Sequence, residues 1–326
     1  MSQFHFEHLT PDFMLDALWH YGFDVASGLL PLNSYENRVY QFKDQDRKNW
    51  VVKFYRPERW SLAQLQEEHQ FVAELVAAEI PVAQAVQRDA EYVLPYQGSY
   101  LAIYPSLGGR QFEPDQDEHL LQTGALLGRL HQVAAGKGFQ HRPEFSAAQM
   151  LGQSSDVLLN SGFIPKTLER EFSAVLQQLQ QKAGQLYRPE RQIRLHGDCH
   201  PGNLVWANEQ VMLLDFDDCR MGPAVQDLWL LLHGDRAEQQ MQLGLLLDEY
   251  EQFCDFAAKE LTLIEPLRAM RQVSYMAWLA QRWDDPAFAR HFPWFSSSEY
   301  WQQQLKVLDE QLKRCGEPPL SLMPQW

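Results

Sequence analysis

Only four cysteines occur in the 326 residues, Cys199, Cys219, Cys254 and Cys315, and none stand at paired or metal-finger spacing. That excludes a disulfide-stapled secreted scaffold and a zinc finger, and suits a reducing compartment. Positive charge is also scarce: 28 Lys and Arg face 43 Asp and Glu, a formal net charge of −15. So acidic a surface argues against nonspecific binding to nucleic acid or anionic membrane, and neither is expected as a partner. Long apolar runs are missing. The longest leucine-rich one, Leu228 to Leu232, is far too short to span a bilayer. Met1 to Thr10 has neither the basic start nor the apolar stretch of a signal peptide. A soluble, cytoplasmic protein is the expectation. There is no internal repeat and no low-complexity tract. The 45% hydrophobic content suffices for one large or two ordinary domains.

What is present centres on Arg194-Leu195-His196-Gly197-Asp198-Cys199-His200-Pro201-Gly202-Asn203, followed by Leu213-Leu214-Asp215-Phe216-Asp217-Asp218. Asp198 and Asn203 stand five positions apart, the spacing of the catalytic loop His-Arg-Asp-x-x-x-x-Asn of protein kinases. There the Asp takes the substrate proton and the Asn holds a metal. Asp215 then occupies the place of the metal-holding Asp of Asp-Phe-Gly. Between them, Leu204-Val205-Trp206 and Val211-Met212-Leu213-Leu214 flank Asn208-Glu209 and read as a β-hairpin. An antiparallel hairpin brings its outer ends together, so Asn203 and Asp215 should converge on one cation. Mg²⁺ suits such hard oxygen donors, completed by water and phosphate.

His-Gly-Asp-x-His-x-Gly-Asn followed by Asp-x-Asp-Asp resembles the aminoglycoside phosphotransferase and choline kinase-like branch of the kinase superfamily. With Leu32-Asn33-Ser34-Tyr35-Glu36-Asn37-Arg38-Val39-Tyr40 upstream and Gly222-Pro223-Ala224-Val225-Gln226-Asp227-Leu228-Trp229 downstream, nearly the whole chain resembles the bacterial stress response kinase subfamily. The resemblance implies an α+β, bilobal protein-kinase-like fold: an antiparallel-sheet N-lobe with one helix pair over residues 1–104, and a mainly helical C-lobe over 105–326. It also implies ATP and Mg²⁺ as cofactors and a protein substrate with a Ser/Thr acceptor. A monomer is expected.

The N-terminal half fits that plan. Thr10-Pro11-Asp12 is a helix start: capping hydroxyl, Pro at the first position, acid near the positive end. Gly22 should end this helix, and Phe23 to Pro31 reads as a strand. Asn33 to Asn37 is a polar turn before Val39-Tyr40-Gln41-Phe42, where a kinase places its phosphate-covering loop. It lacks Gly-x-Gly-x-x-Gly, but its N–H groups and the Ser34 hydroxyl could still meet a phosphate. By resemblance, Ser34 is a nucleotide-contacting position.

In Trp50-Val51-Val52-Lys53-Phe54-Tyr55, alternation puts Val51, Lys53 and Tyr55 on one face. A lysine inside so apolar a strand is costly unless its ammonium reaches water or an anion. Lys53 matches the strand lysine that binds the α/β-phosphates, with Val51 and Val39 against the adenine. Ser61 could cap a helix to about Ala78 whose apolar stripe is Leu62, Leu65, His69, Val72 and Val76. Glu68 flanks this stripe and is assigned as the partner of Lys53; Glu67, further round, is the other candidate. Tyr92 to Pro95 and Tyr100 to Tyr104 read as the last two strands. The hinge follows, and backbone groups of Ile103, Tyr104 and Ser106 should meet the adenine. Beyond Asp115 the pattern is helical to about Leu312, and the tail Gly316 to Trp326 reads as irregular.

The chemistry expected is phosphoryl transfer, in which catalysis is mainly positioning and charge neutralisation. Asp198 orients the acceptor hydroxyl, Asn203 and Asp215 hold the metal, Lys53 grips phosphates and Glu68 orients Lys53. Asp198 should stay ionised near metal and lysine charge. His196 and His131 read as structural, and Asp227 as an acceptor of N–H bonds from the catalytic loop. Asp217 and Asp218 stay open between metal ligands, substrate contacts and solvated charge. Cys199 and Cys219 read as buried, inert thiols. Gly197 stands where many protein kinases have the Arg that pairs with a phosphorylated activation loop, and Asp215 to Pro223 is too short for such a loop. Activity without prior phosphorylation follows. A small-molecule kinase acting on an aminoglycoside, choline or other amino alcohol is the alternative, and a non-catalytic nucleotide-binding scaffold is opposed by the presence of Lys53, Asp198, Asn203 and Asp215.

Overall fold

The computed structural model describes residue 6 and residues 8–322. Most of the N-terminal stretch read as lacking a signal, and the last four residues of the tail, lie outside the described residues. Contacts divide the chain into two compact units. The first comprises residues 1–113, 139–142 and 201–218; the second comprises 114–138, 143–200 and 219–326.

The first unit is built on a five-stranded antiparallel sheet of order β1-β2-β3-β5-β4, with β1 Leu30–Pro31, β2 Arg38–Lys43, β3 Asn49–Phe54, β4 Leu94–Tyr96 and β5 Ser99–Pro105. Alternation sends Phe42, Val52, Phe54, Leu101 and Ile103 to one face, where helix α1 (Pro11–His20) covers them with Met14, Ala17 and Leu18. The Thr10 hydroxyl caps α1 as its sequence requires, and Gly22 follows at φ +80°. On the opposite face Tyr55 and Ala102 pack with Leu65 of helix α2 (Leu62–Ala77). Ser61 and Gln64 form a full capping box at the start of α2.

The strand expected over Phe23 to Pro31 contracts to the two residues of β1 and a single bridge from Val25 to Asp44. Phe23 is instead turned into the α1 core. A second, three-stranded sheet joins β6 (Arg110–Gln111), β8 (Leu204–Ala207) and β9 (Gln210–Leu213). Asn208 and Glu209 both adopt positive φ, as a two-residue hairpin turn of the right twist demands. This hairpin belongs with the first unit because β8 pairs with β6, and Leu213 exchanges backbone hydrogen bonds with Pro81 and Ala83.

The second unit is mainly helical. Its long elements are α3 (Asp117–Ala134), α5 (Glu169–Leu186), α7 (Arg236–Tyr250), α8 (Ile264–Arg282) and α10 (Ser298–Arg314), joined by the shorter α4 (Ser154–Asn160), α6 (Gln226–Trp229) and α9 (Pro286–His291). Helices α3 and α7 cross in backbone contact. A Cβ on Gly124 would lie 2.1 Å from the Leu246 carbonyl oxygen, and one on Gly128 would lie 2.4 Å from that of Tyr250. Only glycine fits there. A two-stranded ribbon, β7 (Ile193–Leu195) with β10 (Arg220–Gly222), leads into the residues around Asp198. No described helix is long and apolar enough to cross a membrane.

Candidate active site

In the first unit, strand register collects the expected nucleotide face. Val39 is paired with Lys53 and Val51 with Tyr104, so Val39, Val51, Lys53 and Tyr104 point to one side of the sheet. The Ile103 side chain goes to the other side and into the core, which leaves only its backbone for a ligand. That backbone is already engaged in part: the Ile103 carbonyl accepts from the Val86 N–H at 2.7 Å, and the Ser106 N–H donates to the Asn49 carbonyl at 3.0 Å. The Ser106 hydroxyl accepts from Gln41 at 3.2 Å. Ser34 is half-buried in the turn before β2.

Lys53 is buried, and its ammonium donates to Asp215 Oδ1 at 2.7 Å, with Asp217 Oδ1 at 3.3 Å. Burial alone would push the Lys53 ammonium down. Asp215 and Asp217 outweigh burial and hold it well above the ordinary lysine value. Among the described residues, the ion pairs of Lys53 are to these two aspartates, not to Glu68 as the sequence suggested. Glu68 is buried in α2 and acts on Lys53 through its field, but its ion pair is with Arg142 at 3.2 Å. The physical reason is competition. Two aspartates meet the lysine, while a buried guanidinium meets the glutamate. Burial, only partly offset by Lys53 and Arg142, raises the Glu68 carboxyl from 4.5 to about 7. Glu67 is turned elsewhere and accepts the backbone N–H groups of Gln140, His141 and Arg142, the latter two at 2.8 Å each. Between the two candidates, Glu68 is the one that senses Lys53.

Arg142 is one residue that sequence reasoning missed. Besides Glu68 it donates to the carbonyls of Phe216 at 3.1 Å and Asp217 at 2.7 Å, and its guanidinium lies over the Trp60 ring. It therefore ties α2 to the loop that carries Asp215. Arg59 does the same from the chain before α2, pairing with Asp217 and, at 2.9 Å, with Asp218. So Asp217 is a buried member of a charge cluster rather than a solvated acid. Burial opposes its charge, but Arg59, Lys53 and Arg142 hold it below the usual carboxylate range. His69, read as core, is buried and bonded to the Tyr55 hydroxyl at 2.6 Å, and burial lowers it to about 3.

The hairpin closes as its sequence requires: the Leu214 N–H donates to the Asn203 carbonyl at 2.8 Å, so the two ends of the ribbon meet. Asp215 sits just beyond at φ +57°, a left-handed conformation that Asp tolerates better than most residues and that recurs at functional sites. Its side chain is 48% exposed. Among the described residues no group of three or more His, Cys, Asp or Glu gathers as a metal cluster. The Asp215 carboxylate and the Asn203 carboxamide are hard oxygen donors, of the kind that suits a small divalent ion which keeps water and takes other oxygens from phosphate.

The second unit carries Asp198. Asp227 accepts the His196 and Gly197 N–H groups at 2.8 Å each, as expected. Gly197 needs its freedom there, at φ +88°. Asp227 is held in turn by His131 Nε2 at 3.1 Å, and His131 Nδ1 meets the Tyr250 hydroxyl at 2.9 Å. His196 Nδ1 accepts the Asp198 N–H at 3.3 Å. Asp198 Oδ2 lies 3.4 Å from His200 Nε2, and Oδ1 accepts from Arg271 of α8. Burial works against its charge, but His200 and Arg271 outweigh it and hold Asp198 well below the ordinary carboxylate value. The sequence expected metal and lysine to do this, and missed Arg271. Cys199 and Cys219 are buried, and burial pushes the Cys199 thiol well up, as an inert thiol requires.

These residues fit a kinase-like phosphotransferase, and that is the class the comparisons show. The chain belongs to the phosphotransferase enzyme family, whose model matches residues 28–268. More particularly, it is 48% identical to "Stress response kinase A" of Escherichia coli (strain K12), over all of this chain and 99% of that protein. It is equally similar, with the same coverage, to "Serine/threonine protein kinase RdoA" of Salmonella typhimurium. The solved structure of the amicoumacin kinase hAmiN in complex with AMP-PNP, Ca²⁺ and Ami superposes with a TM-score of 0.74. It is 21% identical, and the superposition covers 97% of this chain and 95% of that one. The bilobal kinase-like fold expected from the sequence is thereby established.

Proposed function

We propose that the chain is an ATP-dependent Ser/Thr protein kinase of the bacterial stress response, acting in the cytoplasm as a monomer. The observation that carries the phosphotransferase chemistry is the buried Lys53 ammonium held between Asp215 and Asp217. The choice of a protein acceptor is supported by the name of the Salmonella relative.

On this reading Ser34, Val39, Val51, Ile103, Tyr104 and Ser106 contact the nucleotide, and Glu68 keeps Lys53 in place through its charge. The Lys53 ammonium exchanges its carboxylate partner for phosphate oxygens, which frees Asp215. Asn203 and Asp215 would hold Mg²⁺, which when bound neutralises charge on the phosphates. Asp198 orients the acceptor hydroxyl. Held as a weak base, it takes the proton late, once bonding to phosphorus has made that proton acidic.

The test uses the full chain with γ-labelled ATP and Mg²⁺, offered an acidic protein, a basic protein and a panel of amino alcohols. Label on protein Ser or Thr is expected. Label confined to the small molecules would replace the reading with that of a small-molecule kinase, whose fold this chain shares.

A further inference from the structure

Both oxygens of Asp198 are already engaged. Oδ2 faces His200, and Oδ1 accepts from Arg271, whose side chain is 40% exposed. An acceptor hydroxyl that bonds Oδ1 enters beside that guanidinium. Arg271 then loses part of its partner, and a desolvating cation without a counter-charge is costly.

We propose that Arg271 reads the acceptor. It selects Ser/Thr segments that bring their own carboxylate or other anionic side chain next to the reacting hydroxyl. This rests on the protein-kinase reading above. The incoming acid replaces Asp198 on the guanidinium as the hydroxyl replaces Arg271 on Asp198, so no charge is left unpaired. Acceptors with an ammonium close to the hydroxyl meet like charge instead and are rejected.

The rest of α8 suits an extended acceptor. Tyr275 and Trp278 follow Arg271 at i+4 and i+7, on the same stripe of the helix. Tyr275 is exposed, and the two rings lie 5.6 Å apart. They give a peptide an apolar platform one turn beyond the charge. The neighbouring cation of α8, Arg268, is not a competitor, because it is turned to Glu265 at 3.4 Å and stacked over Trp229.

The experiment compares kcat/KM for three single-serine peptides that differ only in the flanking residue, Asp, Ala or Lys, and for an amino alcohol. It uses the full chain and its Arg271→Ala, Arg271→Gln and Arg271→Lys variants, with nucleotide Kd as the check that each variant is folded. The wild type should favour the Asp peptide over the Lys peptide by about tenfold or more, the size of one charge-assisted contact. That ratio should fall to about twofold or less in Arg271→Ala and Arg271→Gln, and part of it should survive in Arg271→Lys. A wild-type ratio near one overturns the inference while leaving the kinase reading intact. So does a ratio that persists in the Ala and Gln variants, or an equal loss on all three peptides. A wild type that labels the amino alcohol and no peptide overturns both.

Discussion

The two units hold their candidate site carboxylates by different means. Around Lys53 the first unit stacks opposite charges, most of them buried: Lys53, Arg59 and Arg142 against Asp215, Asp217, Asp218 and Glu68. Around Asp198 the second unit works mainly through a scaffold of directed hydrogen bonds. The buried Asp227 takes two backbone N–H groups and is itself fixed by His131 and Tyr250. The charge cluster has room to rearrange, because Lys53, Arg59 and Asp217 each have more than one partner within reach. The hydrogen-bonded loop does not, because each N–H has one direction. On the kinase reading, the exchangeable parts would lie where ligands come and go, and the fixed parts where an oxygen is aimed.

The largest effect should come from Asp198→Asn, which spares the scaffold and removes the proton acceptor. Phosphoryl transfer should fall by roughly 10²–10⁴ in single-turnover assays, with nucleotide affinity kept. A drop of less than tenfold would mean that the fixed loop does not carry the base. Next are the two supports. Asp227→Ala leaves two buried N–H groups unpaired and should cost about 3 kcal/mol or more in denaturant unfolding. Arg142→Met strips Glu68 of its counter-ion and should cost about 3 kcal/mol near pH 7.5. The two variants part on acidification. Glu68 can take up a proton and relieve the second, whereas no proton replaces the acceptor lost in the first. Equal pH dependence of the two would erase the distinction between the units.

Glu68 sharpens the same contrast in the wild type. Its folded value, about 7, lies above its ordinary 4.5, so between these the native state binds more protons than the unfolded chain. Stability should therefore fall as pH rises from about 4.5 to about 7, by at most about 3 kcal/mol from this group. Asp198 and Asp217 work the other way, because their folded values are depressed. Their contribution is present above the ordinary carboxylate value and is lost as pH falls below it. Glu68→Gln should flatten the upper slope and leave the acid limb. An unchanged upper slope in that variant would place its origin elsewhere. The smallest effect concerns thiols: alkylation of the folded protein should reach the half-exposed Cys254 and spare Cys199 and Cys219, without loss of activity. Labelling of Cys199 before unfolding would show that the loop opens.

The sequence was most readable where a local rule fixes geometry. Asn208-Glu209 between two apolar runs gave the ribbon, Ser61 gave the start of α2, and alternation in β3 put Val51 and Lys53 on one face. It failed where a partner arrives from far along the chain. Arg142 is 74 residues from Glu68 and Arg271 is 73 from Asp198, and no periodicity links either pair. An arginine on a helix looks the same in sequence whether it faces water or a carboxylate. The one signal available was excess: Asp217 and Asp218 beside Asp215 put more negative charge in one loop than a buried site tolerates, so cations had to come from elsewhere.

Arg142 and Glu67 also bear on control. Glu67 staples α2 to the 139–142 segment by accepting three backbone N–H hydrogen bonds, and Arg142 welds its neighbour to the loop of Asp215. A helix so riveted has no slack to swing inward on command. On the proposed kinase reading, an enzyme built this way would need no arming step.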